Sequence, residues 1–245
     1  MAAALVVAVV SPTQYAPLSS GEANFLWWFS QGSIMDVQVR RTLRGAWGMC
    51  DRHTAAWLTV EAAFRQGFMH GPAVMYTDLM ERALRVFNVA DRLSARRLAR
   101  RLQSRSPCHV CAMGLGPNSE GYVPKDRLKV GRDLSQIRRF MEEASGFWHE
   151  TLCGRCAESL AEGRCRMHLC ADIEQGSLEG LEQNREMVRR IAHHIGRYHE
   201  SFRWESHGTD TAADRGALIS AAGWCGGWRG LLSAYGIGQR TGGAE

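Results

Sequence analysis

The cysteines and histidines of this chain come in pairs with two residues between partners. Cys153-x2-Cys156 and Cys165-x2-His168 stand close together, with eight residues intervening, whereas Cys50-x2-His53 and Cys108-x2-Cys111 lie far apart. Two such pairs are how a chain offers four soft ligands to one tetrahedral metal ion. The spacing predicts two Cys3His sites, one from Cys153, Cys156, Cys165 and His168, the other from Cys50, His53, Cys108 and Cys111. The first is local in sequence. The second forms only if the helices between its pairs return the chain to His53. Eight cysteines are present, so Cys170 and Cys225 are left over.

Three thiolates and an imidazole suit zinc, and four protein ligands close the coordination sphere, which is the mark of a structural site. Cys170 competes with His168 as the fourth ligand of the local set, and an all-cysteine set favours a 4Fe-4S cluster. Covalent haem is disfavoured, because Ala112 and Ala157, not histidines, follow the two Cys-x2-Cys pairs. No phosphate loop, dinucleotide fingerprint or Gly-x-Ser-x-Gly elbow occurs. Cys225 would be a nucleophile only with a base beside it, which the sequence does not place. Of the histidines near residue 195, His199 lies about 40° and His193 about 160° from the apolar face centred on Ile195, taking about 100° per residue. They cannot converge on one ion; His199 reads as a hydrogen-bonded core histidine, and no Glu-x2-His pairs suggest a di-iron site.

The elements that must position these ligands read as helices almost throughout, with no convincing strand alternation. The expected fold is all-α, a bundle of about six to eight helices with Cys/His knuckles in its loops. Helical patterns cover residues 20–30 (with Ser20 as cap), 34–46, 51–67, one long run 72–102, 134–160, 178–202, and 215–235 with an interruption at Gly226 and Gly227. Residues 104–131, rich in proline and glycine, read as the loop carrying Cys108 and Cys111. Residues 205–214 are polar and read as loose. The apolar stretch Met1 to Val10 lacks the preceding charges of a secretory signal and is too short to span a bilayer, so it reads as a buried strand or first helical turn. The expected organisation is one helical domain, residues 1–245, with weak halves 1–104 and 105–245. Reduced cytoplasmic thiols fit metal-binding pairs better than disulfides.

The chain is 245 residues long with a net charge of +5, and lysine occurs only at Lys125 and Lys129. The arginines of residues 92–105 form a basic face that reads first as a solvated helix surface, and second as a contact for nucleic-acid phosphates. The eight tryptophans mostly fall at apolar helical positions and read as core; Trp224 and Trp228 could instead form an exposed partner surface.

A weak duplication is visible. Gly48-Met-Cys50-Asp-Arg-His53 resembles Thr151-Leu-Cys153-Gly-Arg-Cys156, and Gly163-Arg-Cys165-Arg-Met-His168 repeats the Cys-x2-His element. With Trp27-Trp28, Gly71-Pro72 through Asp78-Leu79, and Pro107-Cys108-His109-Val110-Cys111, the chain resembles, over residues 11–170, a family of uncharacterised bacterial Cys-rich helical proteins. Their halves open with Cys-Pro-x-Cys and close with Gly-x-Cys-x2-His. The resemblance implies helical halves ending in metal knuckles and implies no reaction. The chain departs from that pattern at Ser11-Pro12-Thr13-Gln14, where no thiol stands, and at Cys153-x2-Cys156, where a histidine is replaced. The function these features favour is a structural-zinc accessory or interaction protein with a protein partner still to be found. Its alternatives are an iron–sulfur redox or sensor protein touching nucleic acid, and a metal-dependent biosynthetic enzyme.

Overall fold

Ser19 sets the first helix: its hydroxyl accepts from the Glu22 backbone N–H at 3.1 Å while the Glu22 carboxylate accepts from the Ser19 N–H at 2.9 Å. Such a reciprocal cap stabilises a helix start by about 1 kcal/mol, and it places the cap one residue before the expected Ser20. From there a computed structural model describes residues 16–159 and 161–235. The stretch Met1 to Val10, the Ser11–Gln14 departure and Leu160 lie outside them.

The described chain is all-α, with no strand. Its helices are α1 (Ser20–Ser30), α2 (Val37–Ala46), α3 (Asp51–Phe64), α4 (His70–Phe87), α5 (Ala95–Leu102), α6 (His109–Ala112), α7 (Lys125–Gly131), α8 (Ser135–Glu143), α9 (Ser145–Trp148), α10 (Gly154–Ala157), α11 (Arg166–Glu174), α12 (Leu181–Glu200), α13 (Ala212–Gly226) and α14 (Arg229–Tyr235). Eleven of these have seven or more residues, more than the six to eight expected.

The excess has local causes. The run expected to be continuous over 72–102 breaks after Phe87: a short 3-10 turn spans Ala90–Arg92, and extended Ser94 starts α5 afresh. The loop 104–131 contains α6 and α7. The stretch 134–160 is not one helix but α8, α9 and the α10 knuckle, separated by bends at Ala144 and Leu152. The 215–235 pattern does divide at its glycines, with Gly227 at φ 101° between α13 and α14.

Helix α3 sits at the centre. Residues 53–62 are all buried, with His53 and Glu61 the titratable side chains in a stretch that is otherwise apolar or small. Helices α1, α7, α8 and α14 pack around it, α12 lies between α4 and α13, and α11 packs on α5. Helices from both sides of residue 104 thus contribute to one hydrophobic cluster. Trp47, Trp57, Trp148, Trp224 and Trp228 are fully buried in it, so the Trp224–Trp228 segment is core and not an exposed partner surface. Trp28 and Trp204 are exposed, at 58% and 92%, and Trp27 is half-buried against the core. The 205–214 segment ends in order: Thr211 and Asp214 form a second reciprocal cap at the start of α13, and Asp214 is buried. No helix among the described residues is long and apolar enough to cross a membrane.

Candidate metal centres

All eight predicted ligands occupy the same two positions of a helix start. Cys50, Cys108, Cys153 and Cys165 each stand at the N-cap, and His53, Cys111, Cys156 and His168 each stand at the third residue of α3, α6, α10 and α11 respectively. N-cap and third-residue side chains lie on one side of the first turn, which is why a capping box closes there. Here the same geometry points two soft ligands at one spot. Free N–H groups of a first turn favour thiolate at such a position, and at the longer α3 and α11 the helix dipole adds to this.

The fold then joins the starts in twos. Cys50, His53, Cys108 and Cys111 bring their ligand atoms within 4.8 Å of one another, and so do Cys153, Cys156, Cys165 and His168. In the first cluster the His53 Nδ1 is 3.2 Å from Cys50 Sγ, 3.5 Å from Cys108 Sγ and 3.3 Å from Cys111 Sγ, and Cys50 Sγ is 3.8 Å from Cys111 Sγ. In the second, His168 Nδ1 is 3.1, 3.4 and 3.3 Å from the sulfurs of Cys153, Cys156 and Cys165, and Cys156 Sγ is 3.8 Å from Cys165 Sγ. A tetrahedral ion with bonds of about 2.3 Å to sulfur and about 2.0 Å to nitrogen has edges of about 3.8 Å between sulfurs and about 3.5 Å between sulfur and nitrogen. Both clusters match those edges to within a few tenths of an ångström, and no disulfide joins any of the cysteines.

Charge gives a second test of fit. Hydrogen bonds from Cys50 and, against the cost of burial, from His53 pull Cys108 down to about 3. The Cys108 thiolate, with burial, pushes Cys50 well above the usual thiol range. In the second cluster Cys153 is held far below that range by hydrogen bonds from Cys156 and Cys165, and the Cys153 thiolate pushes Cys165 up to about 11. Each cluster alone therefore supports one thiolate and resists the next. A divalent cation is what lets three thiolates share so small a volume. Both groups could hold a metal ion.

The two surroundings differ. His53 Nε2 is 3.1 Å from Glu22 Oε1, and Arg52 donates to both Glu22 oxygens at 2.7 Å. Burial pushes the Glu22 carboxyl up, but the bonds from His53, Arg52 and the Ser19 backbone outweigh it and hold it at about 2. Glu22 thus caps α1 and fixes the ring orientation of His53, the arrangement that keeps a ligating histidine in one tautomer. Cys111 is the exposed corner of this cluster. Around the second cluster no carboxylate pairs with His168 among the described residues. Backbone holds it: Gly154 N–H donates to the Gly163 carbonyl at 3.1 Å, and a Cβ on Gly163 would lie 2.3 Å from the Leu152 carbonyl oxygen. Asp172 ties down both flanks through Arg155 at 2.6 Å and Arg164 at 3.2 Å.

The remaining candidates fall away from the clusters. Cys170 is buried 3.5 Å from the Ala99 carbonyl, outside the ligand set, so His168 and not Cys170 completes the second tetrad. Cys225 is 1% exposed, and burial pushes its thiol up to about 12, the reverse of an activated nucleophile. His199 is half-buried against the His70 ring, and among the α12 histidines it is His194 that pairs with a carboxylate, 2.7 Å from Asp214. The duplication also sorts differently in space. The Cys-x2-His start of α3 corresponds to that of α11, with a glycine two residues before each cysteine, and the short helices α6 and α10 supply the Cys-x2-Cys halves. Glu22 is the site residue that sequence reading missed, although Ser19-Ser20-Gly21-Glu22 carries the capping-box signature.

No family model, no curated protein and no solved structure matches this chain.

Proposed function

We propose that this protein is a helical binding or accessory protein whose two Cys3His centres each hold a structural zinc ion. The observation that carries this reading is the spacing of four donor atoms in each cluster at the edges of a tetrahedron around a single ion. Three thiolates and an imidazole are a zinc donor set, and four protein ligands leave no position for a substrate or an activated water. Bound there, zinc would cross-link helix starts far apart in sequence; Glu22 would keep His53 oriented, and Asp172 would hold the flanks of the second knuckle. The same spacing disfavours an iron–sulfur cluster, whose several irons and sulfides hold their thiolates farther apart than a single ion does. Thiols of this kind persist in a reducing compartment, which supports a cytoplasmic location. The test is elemental analysis with a visible spectrum on protein purified without oxygen. The expected result is about two zinc per chain and no colour; iron with matching sulfide and visible absorption would replace the zinc reading, and absence of any metal would overturn it.

A further inference from the structure

A groove of about 1020 Å³ opens between α2, α4 and α5. Its walls carry Arg40, Arg41 and Arg44 from α2 and Arg82 and Arg85 from α4, and it is closed by Arg101 of α5 and Arg105 just beyond. No carboxylate and no aromatic ring is among its lining residues. Two acids touch these arginines from outside: Asp78 reaches Arg44 at 3.2 Å and Arg40 at 4.0 Å, and Glu81 reaches Arg85 at 3.7 Å. Seven guanidinia less two carboxylates leave five positive charges not balanced by an acid partner among the described residues. A concave, low-dielectric wall focuses such a field.

The floor is fixed. The Arg82 guanidinium lies 3.7 Å over the buried Trp47 ring and donates to the Arg44 carbonyl. Trp47 Nε1 donates to the Gln103 carbonyl at 3.2 Å, and the Arg105 N–H donates to the Gly45 carbonyl at 2.8 Å. The segment bearing Arg105 is thereby stitched to the end of α2. Burial, and then the neighbouring Arg105, Arg166 and Arg44, hold Arg82 down at about 10, so it remains charged at neutral pH while crowded by like charges.

We propose that this groove, continued along the exposed arginines of α5, binds the phosphodiester backbone of a nucleic-acid duplex without reading its sequence. The positive surface runs past the groove: Arg92, Arg96, Arg97 and Arg100 are exposed, no acidic residue stands within residues 92–105, and Glu174, which reaches this stretch from α11, is bonded to Gln103. An extended polyanion fits this better than an isolated phosphate. Arginines at i, i+4, such as Arg40 and Arg44 or Arg97 and Arg101, sit about 5–6 Å apart at Cβ. That spacing suits separated phosphodiesters more than inorganic polyphosphate, whose neighbouring phosphates share a bridging oxygen. Guanidinium forks grip phosphate oxygens in pairs. The missing aromatics rule out the stacking platforms on which single-strand binders rely. This inference is independent of the identity of the metals.

The test is anisotropy titration of the purified full chain with labelled DNA and RNA duplexes of one sequence, the matching single strands and inorganic polyphosphate, over a range of salt. The variant Arg41→Gln/Arg101→Gln/Arg105→Gln removes three groove charges that have no carboxylate partner among the described residues, and Arg189→Gln, at an exposed position of α12, is the control. The expected result is binding of at least one duplex, about 10-fold or more weaker in the triple variant, with a salt slope smaller by about one per arginine removed and no effect of the control. The tighter of the two duplexes names the source of the backbone. Helical circular dichroism and metal content verify folding, and Arg101→Gln alone reads the same effect if the triple variant loses helicity. Duplex binding untouched by the arginine substitutions, no duplex binding at about 50 mM salt, or tighter binding of single strands or polyphosphate would each overturn the proposal.

Discussion

At the scale of single residues, the two clusters separate ligands from bystanders. Cys156 is buried, faces both Cys165 and His168, and has no substitute within reach. Cys156→Ser is therefore expected to release about one of two metal equivalents and to lower the thermal midpoint, measured by elemental analysis and calorimetry. Cys225→Ser is expected to leave metal content unchanged, because that thiol sits outside both tetrads. Glu22 allows a subtler test. Glu22→Gln keeps the shape but removes the charge that orients His53 and pairs with Arg52. Loss of such an outer carboxylate typically costs 10–100-fold in affinity, roughly that range being expected here for the first centre alone. Competition with a chromogenic chelator reads it, and equal weakening of both centres would show that Glu22 acts on the fold rather than on His53.

At the scale of elements, helix starts and close approaches set the architecture. Asp214 closes the cap of α13 and meets His194. Burial raises its carboxyl, but the bonds from His194 and Thr211, with Arg197 nearby, outweigh that and hold it below the ordinary aspartate value of 3.8. A carboxylate depressed in the folded state stabilises fully above its unfolded pKa and stops doing so as pH falls through its folded pKa. Asp214→Asn is thus expected to cost about 1–2 kcal/mol, by an amount constant from pH 7 to about 5 and shrinking below about 4, as followed by denaturant melts. Gly223 marks a close approach of another kind. A Cβ there would lie 2.3 Å from the Trp228 indole, which is itself buried. Gly223→Ala is expected to destabilise by about 1–3 kcal/mol through overpacking, although alanine is the better helix former.

At the scale of the whole molecule, the core and the two proposed metal centres have separable roles. One hydrophobic cluster spans α1 to α14 and includes five fully buried tryptophans, so the fold is expected not to depend on metal in the way a small zinc finger does. Chelation is expected to leave most helicity in place while raising amide exchange in residues 104–131 and 149–168, where the short helices α6 and α10 are held by their knuckles. Global unfolding on chelation would instead place the metals at the centre of the folding free energy. The Cys108–Cys111 pair begins three residues after Arg105, so a metal ion held there would also steady one wall of the arginine groove.

The sequence by itself determined the all-α class and the Cys-x2-Cys and Cys-x2-His pairs, because helical periodicity and ligand spacing are local properties written in consecutive side chains. It also supplied the position of α12 and the division between α13 and α14, through an amphipathic stripe and a pair of glycines. Tertiary structure decided how the pairs combine. Cys50 and His53 meet Cys108 and Cys111 only because α4 and α5 carry the chain away from α3 and back, a geometry no short-range pattern encodes. It decided as well that His168 rather than Cys170 faces the second cluster, since α11 turns Cys170 toward Ala99. Glu22 and the arginine groove were not legible for the same reason. A carboxylate 31 residues from His53, and guanidinia on three separate helices, become neighbours only when burial of the apolar faces fixes where each helix lies.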